Sequence, residues 1–141
     1  MSLHEKINSL HSFKGSLAEN LIGIEKEGLR VAEDGSIAQS PHPESYGSAL
    51  THPEITTDFS EALVEIVTCP TKGAKNVIDE LSKINHYIYH HLPHTERFWP
   101  ASMPCILRGK TNIPIAYYGE SNLGKMKTVY RRGLANRYGS V

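Results

Sequence analysis

An α+β fold is predicted by two stretches with strand character and one long stretch with helical periodicity. Residues 23–31 and 62–67 are short and rich in aliphatic and β-branched side chains, which is typical of strands. Residues 73–92 carry apolar side chains three and four positions apart and are followed by Pro93, which predicts a helix. The 141 residues are enough for one domain, 1–141, with its own core.

The composition narrows the classes of function and the compartment. Fifteen Lys and Arg balance fifteen Asp and Glu, so bulk charge does not favour nucleic acid or a membrane surface as a partner. The chain has two cysteines and no CxxC motif, which suits a reducing environment. No apolar run approaches the roughly 18 residues of a membrane-spanning helix. We therefore expect a cytoplasmic protein.

One carboxylate stands within an apolar run near the middle of the chain. On a strand over residues 62–67, Glu65 shares a face with Leu63 and Val67, and the aliphatic residues between them take the other face. An ionised carboxylate that is buried without a partner is costly, so we expect Glu65 to face a cation, a group of donors or a cleft. Asp58 lies just upstream and is expected beside it.

Two further acids, Glu25 and Glu27, lie two residues apart on the strand predicted over residues 23–31 and therefore share a face. If this strand pairs with the strand that carries Glu65, three carboxylates and Asp58 converge on one patch. An all-oxygen patch suits Mg²⁺ or Mn²⁺ rather than zinc. The alternative is the solvated polar face of an amphipathic strand, and the residues alone leave both interpretations open.

The segments around these strands have their own local signals. Residues 1–21 have apolar side chains at near-helical spacing, interrupted by Gly15, which predicts one or two amphipathic helices that pack on the core. Residues 33–35 are turn formers ahead of a short strand at 36–38, which predicts a hairpin. Residues 39–53 contain three prolines and a glycine, which predicts a long irregular loop.

Histidines cluster at the end of the predicted helix. His86 and His90 have the i, i+4 spacing that can bind a metal, and His91 and His94 lie close by. A zinc site would need further acids or thiols within reach. We favour a surface histidine cluster without a metal.

The last third of the chain combines a connector, a strand and a basic helix. Residues 97–105 are an aromatic and proline-rich connector in which Trp99 is expected to cap the core. A strand is predicted at 113–118, followed by a helix with Ser121 or Asn122 as N-cap. The cations and tyrosines of this helix could bind phosphate, carboxylate or RNA, or form a solvated basic surface. They are Lys125, Lys127, Tyr130, Arg131, Arg132, Arg137 and Tyr138.

Four blocks of the sequence, in order and with matching spacing, resemble the bacterial glutamate-cysteine ligases of the proteobacterial type. The blocks are GIEKEGLRV at 23–31, HPESYGSALTHPEITTDFSEALVEIVT at 42–68, WPASMPC at 99–105 and YGESNLGKMKTVYRRGLANRYG at 118–139. The resemblance implies an antiparallel sheet with packed helices, part of a glutamine-synthetase-like fold. It also implies that glutamate, cysteine and ATP are the substrates.

The resemblance further implies a mechanism. ATP phosphorylates the γ-carboxylate of glutamate, and the amine of cysteine attacks the acyl phosphate to give γ-glutamylcysteine, the first step of glutathione biosynthesis. Mg²⁺ or Mn²⁺ is expected to neutralise the phosphate and carboxylate oxygens. By position, the family's metal-site acids correspond to Glu25, Glu27, Asp58 and Glu65, and its substrate-binding pair corresponds to Tyr130 and Arg131.

Members of that family are considerably longer than this chain. The resemblance therefore implies that a downstream strand with a metal-binding histidine, a later acid and most of the ATP and cysteine pockets are missing. We expect an N-terminal portion of the catalytic domain that is inactive without the missing C-terminal segment, and we assign no catalytic residue. The alternatives are a truncated fragment that binds a divalent cation and an anion, and a structural fragment that depends on a partner chain.

Overall fold

Three helices and six strands make up the part of the chain that the structure describes. The structure is a computed structural model that describes residues 1–12, 19–108 and 113–138, with side chains as far as residue 133. The elements are α1 (Leu3–Ser12), β1 (Leu21–Ile22), β2 (Glu25–Ala32), a 3₁₀ turn (Glu44–Tyr46), β3 (Ile55–Thr57), β4 (Leu63–Val67), β5 (Thr71–Lys72), α2 (Ala74–His91), β6 (Glu96–Phe98) and α3 (Asn122–Tyr138).

Four strands form the central sheet in the order β3-β4-β2-β6, and each neighbouring pair is antiparallel. β1 and β5 pair separately as a two-stranded antiparallel ribbon. β2, at 8 residues, is paired along its two edges with β4 and β6. The predicted α+β fold with an antiparallel sheet and packed helices is confirmed.

One face of the central sheet packs against α2 and forms the main core. Val64 and Ile66 of β4 are fully buried on this face, against Ile84 and Ile88 of α2. Gly28 of β2 lies under the ring of Phe98, and a Cβ at this position would come within 2.3 Å of the ring. Apolar side chains three and four apart on α2 therefore cover a sheet face that is itself apolar.

Arg30 is completely buried on β2, where it connects three segments of the chain. Its guanidinium donates to the Glu96 carboxylate at 2.7 Å and to the Ser40 hydroxyl at 2.6 Å. It also donates to the carbonyl oxygens of Ser40 at 2.8 Å and Glu61 at 3.0 Å. A buried charge is tolerated only when it is paired and hydrogen-bonded, so this network fixes β6 and the irregular loop relative to β2.

The connector at 97–105 differs from the sequence prediction at its start. Glu96–Phe98 forms β6 and pairs with the end of β2 at Arg30, Val31 and Ala32. Trp99 packs against the smaller core cluster around Val31, and its indole N–H donates to the Met103 carbonyl oxygen at 2.8 Å. The connector therefore adds an edge strand before it covers part of the sheet.

Two predicted strands are reduced to isolated bridges. Residues 36–38 bridge to β2 and to Ile106, each through a single residue pair, because the backbone groups of this segment are divided between two neighbours. Residues 113–118 form one bridge, between Ser60 and Ile115. Pro114 lacks the N–H that a continuous ladder would need.

The N-terminal helix does not pack as predicted. α1 spans Leu3–Ser12, and Leu3, Ile7 and Leu10 are 75%, 43% and 61% exposed, so the expected packing of this stripe on the core is wrong for the described residues. The predicted helical segment continues into residues 13–18, which lie outside the described residues. Within the described ranges, no helix has the length and apolar character required to span a membrane.

Candidate functional site

The second face of the central sheet presents the acids that the sequence singles out. Glu27 of β2 lies directly opposite Glu65 of β4, and residues paired in this way project to the same face of a sheet. Glu25 lies two residues away on β2 and shares that face. The structure thus brings three carboxylates together, with Glu25 and Glu27 exposed and Glu65 half-buried.

Glu65 lies at the centre of this group. Its pKa is raised from the ordinary value of 4.5 by desolvation first, then by the negative charges of Asp58, Glu25 and Glu27, while Arg131 acts in the opposite direction. The three other acids therefore lie close enough to interact electrostatically with the Glu65 carboxyl group. We call Glu25, Glu27, Asp58 and Glu65 the acid cluster.

Asp58 is held at the rim of the acid cluster by Arg131 and Tyr118. The Arg131 guanidinium forms an ion pair with the Asp58 carboxylate, and the two side chains are 20% and 32% exposed. The Tyr118 hydroxyl donates to the carbonyl oxygens of Thr57 and Asp58, each at 3.0 Å. Desolvation lowers the pKa of Arg131, but its interactions with Asp58 and Tyr118 raise that pKa more strongly.

A buried carboxylate, Glu61, fixes the turn that carries Asp58. Its two oxygens accept the backbone N–H of His42 at 2.8 Å and of Tyr117 at 2.6 Å. One side chain therefore fastens the irregular loop and the segment before α3 to the turn between β3 and β4. Through these two hydrogen bonds, Glu61 supports the site.

Sequence reasoning missed the support that Arg30 and Glu61 provide. Both are charged residues beside buried positions, which is the same signal that identified Glu65, so a search for charges in apolar surroundings would have found them. Their partners are distant in sequence: Glu96 lies 66 positions from Arg30. The pairing itself could not be predicted from local pattern.

Helix α3 positions Arg131 through its N-terminus. The Ser121 hydroxyl accepts a hydrogen bond from the N–H of Gly124 at 3.1 Å. Of the two residues predicted as N-cap, Ser121 is therefore the one that caps the helix. Gly119 has a φ of 78°, a left-handed conformation that favours glycine. A Cβ on Gly124 would lie 2.3 Å from the Tyr118 carbonyl oxygen, so glycine allows α3 to begin against the segment that holds Asp58.

The other predicted residues of α3 are placed less closely. Tyr130 is 63% exposed, so its substrate role stays a prediction. Lys125 pairs with Glu120 at 3.3 Å, and the Lys127 ammonium lies 4.8 Å from the centroid of the Tyr118 ring. Lys125 is therefore paired with a carboxylate outside the acid cluster, whereas Arg131 acts on Asp58 and Glu65 within it.

A cleft of about 510 Å³ opens on the same face as the acid cluster. Glu27 lies at its border, and Leu63, Met103 and Ile113 contribute apolar walls. The cleft therefore combines apolar walls with one carboxylate of the acid cluster, that of Glu27.

Two other groups of side chains could be considered for metal binding. His86 and His90 are both exposed, their ring centroids are 4.0 Å apart, and the Nδ1 of His90 lies 3.0 Å from the carbonyl oxygen of His86. Among the described residues, Glu54, Cys69 and Glu80 are the group whose ligand atoms lie within 4.8 Å of one another. The sequence analysis had not singled out this group.

The carboxylates of the acid cluster lie further apart. Among the described residues, no three of them have oxygens that all lie within 4.8 Å of one another. Mg²⁺ retains several waters and takes only one or two carboxylates together with substrate phosphates, so a compact cage is not required. In the second group, the negative charge of Glu80 raises the pKa of the Cys69 thiol.

Comparison with solved structures shows which class of protein shares this fold. Glutamate-cysteine ligase from Francisella tularensis, solved in complex with AMP, superposes with a TM-score of 0.81 and 41% identity, over 86% of this chain and 24% of that one. A bifunctional glutathione synthetase from Pasteurella multocida superposes with a TM-score of 0.77 and 34% identity, over 94% of this chain and 17% of that one. The described fold is therefore shared with part of a glutamate-cysteine ligase and part of a bifunctional glutathione synthetase.

Sequence comparison gives the family. The glutamate-cysteine ligase profile matches residues 7–141, so the chain belongs to the glutamate-cysteine ligase family. Glutamate-cysteine ligase of Hahella chejuensis is 53% identical over 137 residues, 97% of this chain and 26% of that relative. The enzyme of Saccharophagus degradans is 55% identical over 117 residues, 83% of this chain and 22% of that relative. The chain spans about a quarter of the length of the curated relatives that it matches.

Proposed function

We propose that this chain forms the divalent-cation-binding part of an enzyme that joins the γ-carboxylate of glutamate to the amine of cysteine at the expense of ATP. Family membership supports this reaction, and the AMP bound to the Francisella tularensis relative supports an adenine nucleotide as substrate. The observation that carries the proposal is the pairing of Glu27 with Glu65 on one face of the sheet, where the Glu65 carboxyl also interacts with Glu25 and Asp58.

The donor chemistry of the acid cluster fits Mg²⁺ or Mn²⁺. All four side chains offer carboxylate oxygens, which are the ligands that these hard cations prefer. Desolvation raises the pKa of Glu65 first, and the charges of Asp58, Glu25 and Glu27 raise it further, while Arg131 acts in the opposite direction. A divalent cation would act in the same direction as Arg131 and would neutralise the oxygens of the transferring phosphoryl group.

Each residue has a distinct role in this proposal. Glu25, Glu27, Asp58 and Glu65 would hold the cation. Arg131 can contact a carboxylate or phosphate bidentately, which suits the anionic groups of glutamate and ATP. Tyr130, exposed on the same helix, offers a ring against which cysteine can pack.

The chain covers 26% of the Hahella chejuensis relative, which supports a second candidate function for the chain by itself. In that case the acid cluster binds a divalent cation and Arg131 binds an anion, without turnover. A cytoplasmic location fits both candidates, because ATP is supplied there and Cys69 and Cys105 are free thiols.

The proposed reaction is tested by exchange with a relative. The matching region of the Hahella chejuensis enzyme is replaced by this chain, and formation of γ-glutamylcysteine from glutamate, cysteine and ATP is measured by mass spectrometry with varied Mg²⁺. We expect Mg²⁺-dependent product, and we expect Glu65→Gln to lower the rate by about a hundredfold or more, because it removes charge that organises phosphoryl transfer.

Glu33→Gln is the matched control for that exchange. Glu33 is exposed and pairs with Arg97 on the surface at 3.1 Å, so the loss of its charge should leave the rate within about twofold. Near-normal turnover of the Glu65→Gln enzyme at limiting Mg²⁺ would rule out the role proposed for the acid cluster.

A further inference from the structure

Arg131 and Asp58 form an ion pair, yet the proposed function assigns them ligands of opposite charge. Asp58 is proposed to hold a cation, whereas Arg131 is proposed to bind an anion, yet here each neutralises the other. While the pair persists, Asp58 offers a cation less charge, and the guanidinium is less available to a substrate carboxylate or phosphate. The two binding events therefore cannot be independent.

We propose that divalent-cation binding releases Arg131 from Asp58, so that the cation must bind before the anionic substrate can use this arginine. This inference rests on the proposed function. A divalent cation at the acid cluster and a guanidinium at the same carboxylate repel each other, and the cation carries the larger charge. Arg131, once released, satisfies its charge with the anionic group of the substrate.

The surroundings of the pair allow this exchange. The Arg131 and Asp58 side chains are 20% and 32% exposed, so the guanidinium can move without crossing a closed core. The backbone carbonyl of Asp58 is held by the Tyr118 hydroxyl at 3.0 Å, so Asp58 stays at the acid cluster after Arg131 leaves. By linkage, the anion and the cation must then strengthen each other's binding by the same factor.

The first test measures Mn²⁺ affinity of this chain from the electron paramagnetic resonance signal of free Mn²⁺. Arg131→Met removes the competitor, and we expect Mn²⁺ to bind about three- to tenfold more tightly, as for the loss of a partly exposed ion pair. Lys127→Met is the matched control, because it removes the same charge from the same helix at a residue whose ammonium lies over the Tyr118 ring. We expect a change below about twofold from this control.

The second test needs no variant and therefore does not depend on how Arg131→Met folds. The side-chain Nε–H resonance of Arg131 in ¹⁵N-labelled chain is followed while diamagnetic Mg²⁺ is added. We expect it to shift, and its exchange with water to speed up, as Mg²⁺ saturates the acid cluster. Circular dichroism shows whether each variant keeps its helices.

The outcomes separate this inference from the proposed function. If neither the unaltered chain nor Arg131→Met binds Mn²⁺ saturably, the cation site of the proposed function fails and the inference fails with it. If the unaltered chain binds Mn²⁺ but Arg131→Met and Lys127→Met change the affinity equally, or the Arg131 resonance does not respond to Mg²⁺, the site stands and the coupling is overturned.

Discussion

The two faces of the central sheet use the same strands and have opposite chemistry. Toward α2, β4 presents Val64 and Ile66, which are fully buried in the main core. Toward the other side, the residue between them is Glu65, which interacts with three further carboxylates. Alternation along β4 therefore places the core on one face and the acid cluster on the other. A substitution in the core should lower stability and leave cation binding largely unchanged, and a substitution in the acid cluster should do the reverse.

The largest effect is expected from Arg30→Met, because it leaves Glu96 buried without its partner. We expect a loss of about 3–5 kcal/mol in the free energy of unfolding, measured by urea denaturation. The control is the neighbouring surface pair of Arg97 and Glu33, whose side chains are 60% and 66% exposed. Arg97→Met should cost less than about 1 kcal/mol. Equal losses from the two variants would contradict the buried network.

Ile66→Ala should come next, since it leaves a cavity in the face that packs against α2. We expect a loss of about 2–5 kcal/mol in the free energy of unfolding. Val67→Ala changes the adjacent residue, which is half-buried on the other face, and should cost about 1 kcal/mol or less. Mn²⁺ affinity at 25 °C should be unchanged in folded Ile66→Ala, and a large change there would break the separation of the two faces.

Gly28→Ala should cost about 1–3 kcal/mol, because the added methyl group would overlap the Phe98 ring. Gly23→Ala is its control on the same segment. A Cβ at Gly23 would lie 3.8 Å from its nearest neighbours, which is ordinary contact distance, and the change should be near neutral. Thermal unfolding of the two variants measures the difference.

Glu65→Gln should have the smallest effect on stability. Unlike the three substitutions above, it should stabilise the fold at neutral pH. The folded-state pKa of Glu65 lies above its ordinary value of 4.5, so the protonated carboxyl contributes stability that is complete below that value and is lost as pH rises through the folded-state pKa. Glutamine does not ionise and avoids this loss. The variant should therefore be more stable than the unaltered chain at pH 7 and should lose this advantage at acidic pH.

Urea denaturation of both proteins from pH 3 to pH 8 measures this difference. A stability difference that does not vary with pH would contradict the raised pKa. A variant that is less stable than the unaltered chain at pH 7 would indicate that the ionised carboxylate of Glu65 supports the fold.

Periodicity predicted the parts of the fold whose packing is local in sequence. The helix around Ile84 and the strand around Glu65 were predicted because alternation and helical spacing report which face is buried. β6 was missed because an aromatic and proline-rich segment has no such period, and it pairs with a strand far away in sequence, β2, where the Phe98 ring lies over Gly28. Long-range packing of this kind leaves no local pattern.

The same limit applies to the candidate site. Glu25 and Glu27 were predicted to share a face from spacing alone, which is a property of any strand. The ion pair between Asp58 and Arg131 joins β3's end to α3, and its geometry follows from the turns and caps that bring these elements together. The type of each side chain predicted its chemistry. Its contact partner is shown only by the fold.

Paramagnetic relaxation by Mn²⁺ most directly tests whether the polar face of the sheet is the cation site. Substoichiometric Mn²⁺ is added to ¹⁵N-labelled chain, and the loss of each backbone amide signal is compared with a Mg²⁺ control. We predict that signals of β2 around Glu27 and of β4 around Glu65 broaden first, together with that of Asp58. Broadening centred instead on Cys69 and Glu80 would contradict a cation site at the acid cluster.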